Sequence, residues 1–190
     1  NGNRGCGGKR GGSGSNFQAI ADAVKEGKLK AEICLLVCDK PEAYVIERAK
    51  KEGVPQFVFR PKDYPDKAAY EREILQELKK KEIDFIALAG YMRLIGPTIL
   101  EEYEGRIVNI HPSLLPSFPG KDAIGQAMAA GVKVTGVTIH YVDEGMDTGP
   151  IIAQKAVEVE ENETRESLEK KIHAVEHQLY PAVLQKLLGE

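Results

Sequence analysis

The chain of 190 residues carries a formal net charge of −3, with 42% hydrophobic and 29% charged residues. These proportions predict one globular domain with enough chain for a sizeable core. They leave no electrostatic basis for nucleic-acid binding, and no run of residues is long and apolar enough to span a bilayer. Cys6, Cys34 and Cys38 are an odd set without framework spacing, so buried thiols in a reducing cytoplasm are expected rather than disulfides.

Residues 1–13 contain no aliphatic side chain and read as a Gly-rich, basic segment. Basic residues without an apolar stretch do not make a secretory signal. The Gly7, Gly8, Lys9 run lacks the spacing of a phosphate loop. Gly14, Ser15 and Asn16 open a helical pattern that runs through Ile20 and Val24 to Gly27. Ser15 or Asn16 is the expected N-cap. The N–H groups of that first turn also suit an anion, a signature shared with a plain capped helix.

Residues 32–38 are a continuous apolar run, as expected of a parallel strand covered on both faces. Asp39 and Pro41 are expected to start a helix that reaches Glu52 and ends at Gly53. A short strand at 56–59 and a loop at 60–66 follow. The helix predicted for 67–81 puts Tyr70, Ile74 and Leu78 on one face. Residues 83–89 form the next buried strand, and 90–97 its apolar exit loop, suited to lining a pocket for a flat heterocycle or to joining the core. A short helix at 97–103 precedes a strand with β-branched Ile107, Val108 and Ile110, stopped by Pro112. Asn109 and His111 are two apart on it and so share a face at its end, where open α/β sheets place ligands.

The later part predicts a tight turn at Leu115 and Pro116, where a cis bond fits, and a helix over 122–131 ended by Gly131. Strands over 134–142 and 151–157 are expected to pair antiparallel around a Gly-rich loop holding Asp143 and Asp147. Thr164 caps a last helix whose apolar face is read as Leu168, Ile172, Val175, Leu179, Val183 and Leu187. On residue type alone, His173, Glu176 and His177 face solvent or pair locally. The fold expected is α/β, one open, mostly parallel twisted sheet with helices on both faces and an antiparallel strand pair near the C-terminal part.

The segments NIHPSLLP (109–116) and DEGMDTGP (143–150), with GSN (14–16) and MRLI (92–95) in order before them, resemble the signature of the folate-dependent formyltransferases. The resemblance runs from about Gly14 to the C-terminus, and it is similar throughout to the members that formylate glycinamide ribonucleotide. It implies a Rossmann-like formyltransferase fold, a single domain over 1–190, with 14–100 as the nucleotide-binding half and 101–190 as the catalytic and folate-binding half. It implies transfer of a formyl group from 10-formyltetrahydrofolate to that amine in de novo purine biosynthesis, with no metal.

By the same resemblance Asn109, His111 and Asp147 are the catalytic residues. Gly14, Ser15, Asn16 and Glu176 would bind glycinamide ribonucleotide. Met92, Arg93, Leu94, Ile95, Asn109 and Asp143 would bind folate. Lys67 would offer a cation to a folate carboxylate or else be a solvated helix-start lysine. Family members begin with a hydrophobic first strand, which residues 1–13 do not match. Two other readings stay open. One is a formyltransferase of the methionyl-tRNA type, which needs a basic surface and a further domain. The other is a folate-binding relative impaired by its altered start. A homodimer through a sheet edge or hairpin is an open option, as is a monomer.

Overall fold

The computed structural model describes residues 14–189, so the expectations for residues 1–13 lie outside the described residues. Helix α1 spans Ser15–Lys25, and its N-cap is Gly14 rather than Ser15 or Asn16. The backbone decides this. Gly14 has φ +82°, and a Cβ there would stand 2.6 Å from Val45 Cβ, so only glycine fits. Strand β1 is Leu36–Cys38, shorter than the apolar run, because its parallel partner β2 (Gln56–Val58) offers only three paired residues.

Helix α2, Val45–Lys51, starts later than expected. Asp39 does not cap it; its carboxylate accepts instead from Arg93 Nε at 2.7 Å. A 3₁₀ turn, Pro61–Asp63, leads to α3, Lys67–Lys80, which Asp66 caps through the Ala69 N–H at 2.9 Å. Next come β3 (Ile86–Ala89), α4 (Pro97–Leu100) and β4 (Ile107–His111). Helix α5, Ala123–Ala130, ends at left-handed Gly131 as expected. Strands β5 (Val134–Tyr141) and β6 (Ile151–Glu158) follow. Helix α6, Arg165–Leu188, carries the Thr164 cap, reciprocated by Ser167 in a capping box.

The four later strands form one sheet in the order β3-β4-β5-β6. β3 and β4 are parallel, whereas β4–β5 and β5–β6 are antiparallel, so the sheet is mixed, with the expected antiparallel pair near the C-terminal part. Among the described residues β1 and β2 form a separate parallel pair.

Side-chain alternation sorts the sheet's residues between two helical layers. Phe85, Ala87, Val108, Ile110, Val137 and Ile139 pack with Leu168, Ile172, Tyr180 and Leu184 of α6. Ile86, Leu88 and Ile107 pack on the other side with Tyr70, Ile74 and Leu78 of α3. Asn109 and His111 continue the Ile107 side and emerge at the carboxyl end of β4. Fully burying a Leu or Ile contributes about 1.5–3 kcal/mol, so this sorting fixes which face the polar pair must take.

The buried stripe of α6 corrects the expected one. It runs through Leu168, Ile172, Glu176, Tyr180, Val183 and Leu184, while Val175, Leu179 and Leu187 are only partly buried. Tyr180 is tolerated because its hydroxyl donates to the Leu88 carbonyl at 2.6 Å. Glu176 is tolerated because it borders the cleft described next.

Candidate functional site

The strand β4 delivers Asn109 and His111, and the antiparallel register adds a residue the sequence reading did not select. Asn109 is paired with His140, and His111 with Thr138, so all four share one face. His140 is 2% exposed. The only sequence signal for it was its place on the polar side of the β5 alternation, and that signal needs the register to be read.

Asp147 joins this face from the β5–β6 loop. Its Oδ2 lies 3.6 Å from His111 Nδ1 and its Oδ1 lies 3.7 Å from His140 Nε2. The Gly120 N–H donates to Oδ2 at 2.8 Å. Each imidazole is oriented by a carbonyl on its other nitrogen. His111 Nε2 donates to Phe118 O at 2.9 Å, and His140 Nδ1 donates to Tyr141 O at 2.7 Å. A carbonyl only accepts, so those nitrogens carry the protons and the remaining two face one carboxylate. Burial pushes the Asp147 carboxyl up, but contact with His140, the Gly120 N–H and the His111 ring together outweigh it and hold the group below its ordinary value.

The turn after His111 is built to hold it. Leu115–Pro116 is a cis peptide bond, as the sequence suggested. Thr138 Oγ1 donates to Ser113 O at 2.6 Å and accepts from Leu115 N–H at 3.0 Å and from Gln154 Nε2 at 3.0 Å. Ser113 Oγ donates to Ser117 O at 2.5 Å. Asp143 serves the loop rather than the opening: its Oδ1 accepts from Gly145 N–H at 3.0 Å and Thr148 Oγ1 at 2.7 Å. The Thr148 bond, ahead of burial, keeps the Asp143 carboxyl below its ordinary range.

A cleft of about 910 Å³ among the described residues runs past this cluster. Its lining includes Gly14, Ser15 and Asn16 at the start of α1, and Glu176. Asn16 Nδ2 donates to Glu176 Oε1 at 3.4 Å, while the Asn16 Oδ1 is buried without a partner among the described residues. Burial pushes the Glu176 carboxyl up to about 7, against the opposing Asn16 amide. Glu176 is therefore not solvent-facing, whereas His173 and His177 stack on each other at 6.3 Å and stay half-buried. Met92, Arg93, Leu94 and Ile95 also line it. Met92 and Leu94 are 43% and 39% exposed, apolar surface left open on the rim. Lys67 and Asp143 do not line the cleft.

No group of His, Cys, Asp and Glu among the described residues is arranged to hold a metal ion. Cys38 is buried and Cys34 half-buried, both as thiols. No helix among the described residues is long and apolar enough to cross a membrane.

An amide donor, two oriented imidazoles and an ionised carboxylate can steady an oxyanion and move a proton. On an α/β fold, at the carboxyl end of a parallel strand, such a set suits acyl-group chemistry. Residues 10–184 match the family described as Formyl transferase, and the chain belongs to that family.

Within it, the chain is 60% identical over 178 residues to the phosphoribosylglycinamide formyltransferase of Bacillus subtilis (strain 168), covering 94% of this chain and 91% of that one. The crystal structure of glycinamide ribonucleotide transformylase 1 from Geobacillus kaustophilus matches with a TM-score of 0.93 at 67% identity, over 98% of this chain and 97% of that chain. The trifunctional purine biosynthetic protein adenosine-3 of Drosophila pseudoobscura pseudoobscura is 43% identical over 175 residues, which are 91% of this chain and 13% of that longer protein.

Proposed function

We infer that this chain transfers the formyl group of 10-formyltetrahydrofolate to the primary amine of glycinamide ribonucleotide, in de novo purine biosynthesis in the cytoplasm. The observation that carries the reading is one cleft lined at once by Asn109, His111 and Asp147, by the anion-suited start of α1 and by the exposed apolar Met92 and Leu94. Family membership and close relatives of that activity support it.

Glycinamide ribonucleotide lies with its phosphate at the N–H groups of Gly14, Ser15 and Asn16, where the dipole of α1 favours an anion. Its ribose reaches Glu176. The folate heterocycle lies against Met92, Arg93, Leu94 and Ile95, whose contacts are largely backbone. The two expected halves interleave, since Glu176 comes from the second and Met92–Ile95 from the first. Asp143 acts by bracing the loop that carries Asp147. Every residue assigned lies in one chain.

The amine nitrogen attacks the formyl carbon, and the carbonyl oxygen becomes an oxyanion. Asn109 donates its amide to that oxygen, and the His111 ring donates beside it. For His111 to do so, its Nε2–H turns from the Phe118 carbonyl toward the substrate. The tetrahedral centre collapses by breaking its bond to the folate nitrogen. One proton leaves the amine and one reaches that nitrogen, passed by His111 or by a water held on Asp147. The products are formylglycinamide ribonucleotide and tetrahydrofolate. Holding two substrates in one cleft supplies much of the rate. No metal enters these steps.

The test is a formyl-transfer assay with both substrates on the full chain. Turnover that disappears in a folded His111→Ala variant is expected. A folded wild-type chain that does not turn over overturns the reading.

A further inference from the structure

Glu71 is an acid in the wrong place for an amphipathic helix. It lies on α3 among Tyr70, Ile74 and Leu78 and is 1% exposed. Burying a carboxylate there costs free energy that an apolar residue would not. Burial indeed pushes its carboxyl above the ordinary range, against the Gly96 N–H, the Lys67 charge and the Ile99 N–H.

The partners show what the acid does. Its Oε2 accepts from the Gly96 N–H at 2.7 Å. Helix α4 begins with Gly96, which has no side chain, and Pro97, which has no N–H, so it has no cap of its own. Glu71 supplies the cap from a different helix. A Cβ on Gly96 would lie 2.5 Å from Glu71 Oε1, so glycine there is what admits the carboxylate. Lys67, one turn earlier on α3, faces this acid electrostatically.

Gly96 closes the loop that begins at Gly90, whose φ is +74°. Between them Tyr91 and Ile95 are buried pegs, and Met92 and Leu94 stand out on the cleft rim. The loop is tied at its middle by Arg93 to Asp39 and at its end by Glu71.

We propose that Glu71 is a positioning residue for the folate end of the cleft: its buried carboxylate pins Gly96 and so sets the Met92–Ile95 rim, an inference that rests on the function proposed above. Steady-state kinetics on the full-length Glu71→Ala and Glu71→Gln variants test it. Glu71→Ala raises the KM for 10-formyltetrahydrofolate roughly tenfold, as expected for one lost charge-assisted hydrogen bond, with the KM for glycinamide ribonucleotide within about twofold. Glu71→Gln keeps an oxygen acceptor and falls between Ala and wild type. An unshifted folate KM, or an equal rise for both substrates, overturns the proposal.

If Glu71→Ala does not fold, Glu71→Gln against wild type decides by the same split. An inactive wild-type chain defeats the proposed reaction instead. In that case fluorescence titration with 5-formyltetrahydrofolate still judges Glu71: weaker binding by the variant supports the proposal and equal binding overturns it.

Discussion

Asn109 of β4 and His140 of β5 stand directly opposite each other in the antiparallel register, on the face toward which Asp147 turns its carboxylate. The pairing joins the Asn109 amide and the second imidazole through backbone geometry that the hydrophobic sorting of both strands already fixes. A one-residue slip would send Asn109, His111 and His140 to the α6 side.

Asn109 is half-buried and supplies the side-chain amide of the proposed chemistry. Asn109→Ala removes an oxyanion donor, and kcat should fall on the order of a hundredfold or more. Turnover by that folded variant within a few-fold of wild type would remove Asn109 from the mechanism.

Asp147 gives a pH signature. Its carboxyl is held below 3.8, because the His140 contact, the Gly120 N–H and the His111 ring outweigh the upward push of burial. A depressed acid stabilises the fold above its unfolded value and loses that contribution as pH falls through the lower folded value. Asp147→Asn should therefore be less stable than wild type to urea at neutral pH. The gap should close below pH 3.8, the unfolded reference for this group. A gap that persists unchanged in acid would mean that the loss is steric.

Local patterns reported much of this molecule. The 67–80 helix, the Thr164 cap and the Asn109/His111 pair depend on spacings of two to four residues, and the structure places them where those spacings imply. What was not legible depends on partners far along the chain. Asp39 looked like a cap and instead meets Arg93, 54 residues on. Glu71 meets Gly96, 25 residues on, and His140 becomes visible only through its pairing with Asn109. Ser15 looked like an N-cap by residue type, but the close approach of Val45 hands that position to Gly14. Glu176 looked solvated because nothing near it in sequence shows that α1 will cover it with Asn16.

Gly14 should be the least replaceable residue of the α1 start. An added Cβ meets two penalties, the left-handed φ of +82° and a 2.6 Å approach to Val45 Cβ. Gly14→Ala should cost about 1–3 kcal/mol in chemical denaturation. It should also raise the KM for glycinamide ribonucleotide, because the shifted turn carries the Ser15 and Asn16 N–H groups with it. Removing the neighbouring side chain in Gly14→Ala/Val45→Gly takes away the Cβ and Cγ2 contacts, but neither the 2.8 Å approach to the Val45 Cα nor the φ strain. A double variant no better folded than the sum of the two single changes would show that the collision is not felt.

Glu176 has the opposite pH dependence to Asp147. Burial lifts its carboxyl from 4.5 to about 7, with the Asn16 amide pulling weakly the other way. A raised acid gives stability that is complete below its unfolded value and is lost as pH rises through its folded one. The wild-type fold should therefore weaken between pH 4.5 and about 7 through this group. Glu176→Gln stays neutral, so its stability relative to wild type should climb across that window, reaching about 1–3 kcal/mol at alkaline pH. The same variant keeps the shape of the ribose end but loses an acceptor, so its KM for glycinamide ribonucleotide should rise while its KM for 10-formyltetrahydrofolate holds. Parallel urea titrations of both proteins from pH 4 to 8 would decide the first point. Curves that keep a constant separation would show that the acid beside Asn16 is not the group titrating there.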